Sequence, residues 1–171
     1  MSEETQVESV EIEANGSGSL ESRMRARRDE VEALVSEKFP LPRYEQMVAV
    51  ELRFQGYERQ RSMFERNKRQ RSVALKELYT ACDQILAATL GFYELASADD
   101  TEGRRTEHSW YSLAQGVLGE KFNDESTPRQ AMLALIGAEQ VPTLWNDWQE
   151  WMSGQRMDVD REVETDFQKT T

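Results

Sequence analysis

SVALKELYTACDQILAATLGFYEL, residues 72–95, is the stretch that decides the fold. Leu75, Leu78, Tyr79, Cys82, Ile85, Leu86 and Leu90, with Phe92 or Tyr93 beyond them, recur at helical spacing. Residues so spaced line one face of an α-helix. The pattern predicts one long helix over 72–95 that serves as the spine of the core. Cys82 lies inside this stripe and reads as a buried apolar thiol. It is the single cysteine, so no intrachain disulfide can form, and nothing marks an oxidising compartment.

Upstream the period changes. Val48, Val50, Leu52 and Phe54 point one way, while Ala49, Glu51 and Arg53 point the other. That alternation predicts a half-buried strand, ended by Gly56. A lone strand is not stable, so a partner is expected from residues 40–47 or 103–110. Residues 57–70 read as a charged helix with a narrow apolar side of Tyr57, Met63 and Phe64, and Tyr57 and Phe64 are expected to pack in the core. Arg59, Arg66 and Arg69 fall on another side, with Ser62. Residues 20–38 predict a further helix, capped by Ser19. Phe39-Pro40-Leu41-Pro42 stops it, because proline cannot continue a helix and restricts the residue before it.

Downstream, residues 97–109 form a polar loop, and residues 110–118 a short helix ended by Gly119. Thr127 can cap the next helix, Pro128 suits its first position and Gln130 completes a capping-box pattern. That helix runs over 129–136 and is closed by Gly137. The last helix, 141–153, carries a broad apolar face of Leu144, Trp145, Trp148, Trp151 and Met152, and Gly154 ends it. The expected fold is mainly α: a compact domain over 20–154 with five to six helices and one short strand or hairpin. Residues 1–19 and 155–171 are acidic and poor in apolar groups, so disordered ends are expected there.

Charge divides the chain the same way. The formal net charge is −11, yet residues 53–76 hold eight cations against Glu58 and Glu65. The order is acidic, basic, acidic. The middle is suited to face an acidic partner, or the acidic ends to fold back over it.

Catalytic chemistry is not encoded in any recognisable pattern. His108, the single histidine, sits in a polar loop, and no nucleophile-elbow glycines accompany a serine. No phosphate-cradling glycine loop and no spaced carboxylate or cysteine ligand set occurs, so neither cofactor nor metal is expected. No apolar run approaches the ~20 residues that span a bilayer. Residues 1–14 lack the apolar core of a secretory signal, and a cytosolic location is the default. The expectation is a protein that binds other macromolecules and is no enzyme.

Two features could carry that binding. The basic segment 53–76, with Arg59, Arg66 and Arg69, reads as a solvated helix, a face for an acidic protein, or a phosphate-binding surface. The acidic whole works against nucleic acid. Trp145, Trp148 and Trp151 wind along one side of a helix. They either pack in the core or leave at least one ring exposed to anchor a partner.

The order of these elements resembles the tail assembly chaperones of long-tailed phages, in particular those of actinobacteria. The resemblance rests on VAVELRFQGYERQRSMFERNKRQ (48–70), ELYTACDQILAATLGFYEL (77–95), SWYSLAQGVLG (109–119), STPRQAMLALIG (126–137) and WQEWMSG (148–154) followed by an acidic tail. It covers residues 48–166; the arginine-rich segment 20–38 departs from it. The resemblance implies a partner, the long helical tape-measure protein, whose apolar surface the chaperone keeps soluble while tail-tube protein is recruited. It also implies a frameshifted longer form, action in the host cytoplasm and absence from the mature virion. The contact surface expected on this basis is Trp145, Trp148 and Trp151 with Arg59, Arg66 and Arg69. A nucleic-acid-binding regulator using 53–76 and a structural virion or scaffold component are the alternatives.

Overall fold

The computed structural model describes residues 18–119 and 128–169. Helix α1 (Leu20–Leu34) is followed by strands β1 (Ser36–Pro40) and β2 (Val48–Arg53). Helices α2 (Tyr57–Asn67) and α3 (Val73–Ala88) come next, then β3 (Thr89–Glu94) and β4 (Arg104–Arg105). Helices α4 (Trp110–Leu118), α5 (Pro128–Ile136) and α6 (Val141–Lys169) complete the chain. Helix dominates, as expected. The strands form a four-stranded antiparallel sheet of order β1-β2-β3-β4, where one short strand or hairpin was expected.

The additional strands come from the ends of two expected helices. Helix α1 stops at Leu34, and Val35 turns extended with its carbonyl accepting from Phe54 N–H at 2.7 Å. The chain then pairs with β2, Glu37 opposite Leu52 and Phe39 opposite Val50. Helix α3 stops at Ala88. Thr89 Oγ1 donates back to the Ile85 carbonyl at 2.8 Å, and the extended backbone of Thr89 leads straight into β3. Leu90 and Phe92 do not continue the helical stripe: Phe92 is buried and Leu90 is exposed.

The physical cause is β2 itself. Val50 and Leu52 are fully buried, so the backbone on both sides of them needs hydrogen-bonding neighbours. Strands β1 and β3 supply them. Of the two segments expected to pair with β2, 40–47 contributes Pro40 and the Leu41 N–H, which donates to the Val48 carbonyl at 2.9 Å, and 103–110 supplies β4, which pairs with β3 instead. The core face of the sheet carries Phe39, Val50, Leu52 and Phe92. On the other face the Glu51 carboxylate accepts from Ser36 Oγ (2.7 Å) and Tyr93 Oη (2.8 Å), joining three strands.

The helices close over the core face. Cys82, Ile85 and Ala88 of α3 meet Trp110 and Ala114 of α4, Met132, Leu135 and Ile136 of α5, and Leu144, Trp148 and Met152 of α6. Trp110 stands edge-on to Phe92 with ring centroids 5.0 Å apart. Burial pushes the Cys82 thiol up to about 12, which agrees with an inert apolar role. Ser19 caps α1, and a reciprocal Ser109–Ser112 capping box opens α4. Gly119 and Gly137 end α4 and α5 at positive φ, where a side chain would be strained.

Gly154 does not end α6. The helix continues to Lys169, with Val159 buried in the core cluster and Asp160 paired to Arg28 of α1 at 2.9 Å. Residues 155–169, expected to be disordered, are helical, and Val159 among them is buried in the cluster that also holds Val31 of α1. The acidic leader 1–17, the Thr127 cap and residues 170–171 lie outside the described residues.

A polar clamp fixes α2, α3 and α5. Arg129 donates to both Asp83 carboxylate oxygens (2.9 Å each by Nη2), and Asn67 Nδ2 donates to the same carboxylate at 2.9 Å. The Arg129 guanidinium also lies 4.3 Å from the Tyr79 ring centroid. Charge-assisted, forked bonds of this kind are among the stronger polar contacts in proteins.

Candidate protein-binding groove

Helix α3 buries one side in the core and leaves another side as the floor of a groove. Ala74, Leu78 and Ala81 line this floor with Glu77, Thr80 and Gln84. Phe64 of α2 forms one wall. Ala138, Pro142, Trp145 and Asn146, at the start of α6 and the turn before it, form the other. The hollow is open and holds about 650 Å³. Its lining is mainly apolar, and Phe64 is 44% exposed, unusually high for a phenylalanine.

Amides hold the walls in place. Trp145 Nε1 donates to Gln84 Oε1 at 2.7 Å, and Gln84 Nε2 donates to the Gln60 carbonyl at 3.0 Å. Gln60 in turn accepts at Oε1 from Gln149 Nε2 (3.0 Å) and donates from Nε2 to the Gln55 carbonyl (2.9 Å). The relay runs α6 to α3 to α2, so the tryptophan wall is set relative to the phenylalanine wall. Two polar groups nearby lack such partners. Thr80 Oγ1 and the Gln55 side-chain amide are buried with no hydrogen-bond partner among the described residues. Each such group costs about 1–3 kcal/mol.

The expected contact residues are dispersed. Trp145 lines the groove and keeps part of its ring accessible. Trp148 is fully buried, its Nε1 donating to the Arg53 carbonyl at 3.1 Å, and so cannot meet a partner. It belongs to the core because the α6 face that carries it packs on the sheet. Trp151 is half-buried against Phe39, edge-on at 5.9 Å. Arg59 turns to α1 and pairs with Asp29 at 3.1 Å. Arg66 and Arg69 are exposed and outside the groove lining. The cations that flank Phe64 are others. Arg61, three residues before it on α2, and Lys68, four after at the C-terminal cap, share its side by helical spacing, although neither lines the groove itself. Lys76 Nζ stands 5.7 Å from its ring centroid.

Sequence reasoning placed Phe64 in the core and did not single out Ala74, Ala81 or Gln84. A signal was present: Ala74, Leu78 and Ala81 form a second apolar row on α3, beside the stripe that is buried.

A second, shallower hollow of about 430 Å³ lies between Leu86, Leu90, His108 and Trp110. His108 Nδ1 is 3.2 Å from Ser112 Oγ there. That hydroxyl already accepts from Ser109 N–H at 2.8 Å in the α4 capping box, which gives the contact a structural role. Among the described residues no group of three or more His, Cys, Asp or Glu could hold a metal ion, and no helix is long and apolar enough to cross a membrane. No family model matches the chain, and neither the curated proteins nor the solved structures contain a significant match to it.

Proposed function

We propose that the protein is a tail assembly chaperone of long-tailed phages. On this reading it binds the helical tape-measure protein in the host cytoplasm, keeps it soluble and helps bring tail-tube subunits to it. It makes and breaks no covalent bond and does not remain in the mature virion. A longer, frameshifted form of the chain would share the same groove.

The observation that carries this reading is the open apolar groove between Phe64 and Trp145. Grooves of this kind take the apolar face of an amphipathic helix. The resemblance in element order supplies the identity of that helix, and the groove supplies the means. The revised contact set is Phe64, Leu78, Ala81 and Trp145, with Arg61 and Lys68 beside them.

Co-expression with the tape-measure protein encoded by the same phage tests it. The tape-measure protein is expected to stay in the soluble fraction with the wild-type chain and to precipitate with Phe64→Asp. Equal solubility with and without the chain would overturn the reading. Mass spectrometry of purified particles separates the chaperone from a virion component, since a chaperone is absent from them. A gel-shift titration across salt separates it from a nucleic-acid-binding regulator, which would bind with steep salt dependence.

A further inference from the structure

We infer that the groove selects an amphipathic helix whose edge, where it meets α2, is acidic. This deepens the chaperone reading and rests on it, because it names the chemistry of the occupant.

The floor sets the shape. Ala74 and Ala81 carry no atoms beyond Cβ, so a helix can lie close to α3 between the Phe64 and Trp145 rings. Large apolar residues at helical spacing on the visitor would meet Phe64, Leu78 and Trp145.

The rim sets the charge. Arg61 on α2 and Lys68 at its C-terminal cap flank Phe64 by helical spacing, and Lys76 Nζ stands 5.7 Å from its ring centroid. Lys68 also pairs with Glu65 at 3.3 Å, but both partners are exposed, and such a pair is weak and readily exchanged. Glu77 is the one carboxylate in the groove lining. Three cations (Arg61, Lys68, Lys76) therefore stand against two acids, Glu65 beside Lys68 and Glu77 in the lining.

The net charge of −11 argues the other way, since at long range it attracts a basic visitor. Range decides between them. Exposed charges are screened over about 8 Å at physiological salt. Most of the acidic surplus belongs to the two end segments of the sequence, whereas Lys76 stands beside the Phe64 wall of the groove. Once seated, the helix is governed by the rim.

The test uses the full-length chain and two designed helical peptides with the same leucine-rich face. One peptide carries glutamate along its flank, the other lysine. Fluorescence anisotropy is expected to show the glutamate peptide binding about tenfold tighter, as two or three rim ion pairs would give. The gap should narrow as salt rises, and the double variant Arg61→Glu, Lys68→Glu should reverse the preference. Phe64→Asp should abolish binding of both peptides with helical circular dichroism unchanged.

Equal binding of the two peptides, or preference for lysine, would overturn the acidic-edge inference and leave helix binding standing. Binding of neither would remove the groove as a helix seat altogether. Light scattering gives the last outcome. If the wild-type chain self-associates and Phe64→Asp returns it to a monomer, the occupant is a second copy and the inference fails.

Discussion

Trp148 and Trp145 lie three residues apart and answer to different forces. Trp148 fills the interior and donates to the Arg53 carbonyl, so Trp148→Ala leaves both a cavity and an unpaired carbonyl. The expected loss is about 3–5 kcal/mol, read from the urea midpoint. Trp145→Ala removes a partly buried ring and should affect stability less while enlarging the groove. Thr80 points to a gain. Its hydroxyl is buried without a partner among the described residues, so Thr80→Val should raise stability by about 1 kcal/mol. A lower midpoint would show that the hydroxyl is satisfied.

Glu32 couples the fold to its own protonation. It is 4% exposed and accepts from Gly56 N–H at 3.1 Å, fixing α1 to the β2–α2 turn. Burial pushes its carboxyl above the ordinary value of 4.5, against the opposing bond from Gly56. The folded state therefore holds this proton more tightly than the unfolded chain does. Above the folded value the ionised group weakens the fold, and that penalty fades as pH falls toward 4.5. Glu32→Gln keeps an acceptor for Gly56 without the charge. It should be at least as stable as wild type at neutral pH, with the difference closing as pH drops. Glu32→Ala leaves Gly56 N–H unpaired and should cost about 1–3 kcal/mol at either pH.

At the scale of elements, helices were easier to read than strands. The start of α1 at Ser19, the whole of α4, and the Pro128 and Gly137 limits of α5 follow from caps and breakers, which act locally. The Thr89–Glu94 strand was not legible, because Leu86, Leu90 and Tyr93 fit the helical period as well as a strand does. Pairing with β2, more than thirty residues away, decided it. The same holds for α6 beyond Gly154, where a contact with α1 overrides the break. The groove was half legible. Trp145, a contact candidate from its helical spacing, does line the groove, while Phe64, expected in the core, stands exposed because spacing alone cannot tell which apolar side chains face water. One element-level prediction follows from α6. Val159→Asp places an uncompensated charge in the α1 contact and should cost about 3 kcal/mol or more. Faster amide exchange in α1 would show that the loss is local to that pair.

Strand β1 has its own defence. Its register directs the Phe39 and Glu37 backbone groups to β2, leaving Ser36, Lys38 and Pro40 along the free edge. Lys38 N–H donates to the Glu37 carboxylate at 2.8 Å, and Pro40 has no N–H to offer. An incoming strand therefore finds few free donors, which is how natural sheets discourage edge-to-edge growth.

Across the whole molecule, the acidic–basic–acidic order becomes a spatial arrangement. One middle cation, Arg59, is taken up in a surface pair with Asp29 of α1, and Arg28 of α1 pairs likewise with Asp160 of the acidic end. Others stay at the groove rim, available to a visitor. Stability should thus depend only mildly on salt, while binding at the groove should depend on it more.

The junction at Ala88 and Thr89 gives the molecule a mechanical property. The floor of the groove and the third strand of the sheet are one unbroken piece of chain, with no hinge between them. Pressing on the floor is like pressing on the handle of a spoon whose bowl is the sheet. A seated helix should therefore slow amide exchange at Thr89–Glu94, far from the seat, as well as on α3 itself. Slowing confined to α3 would mean that the junction gives.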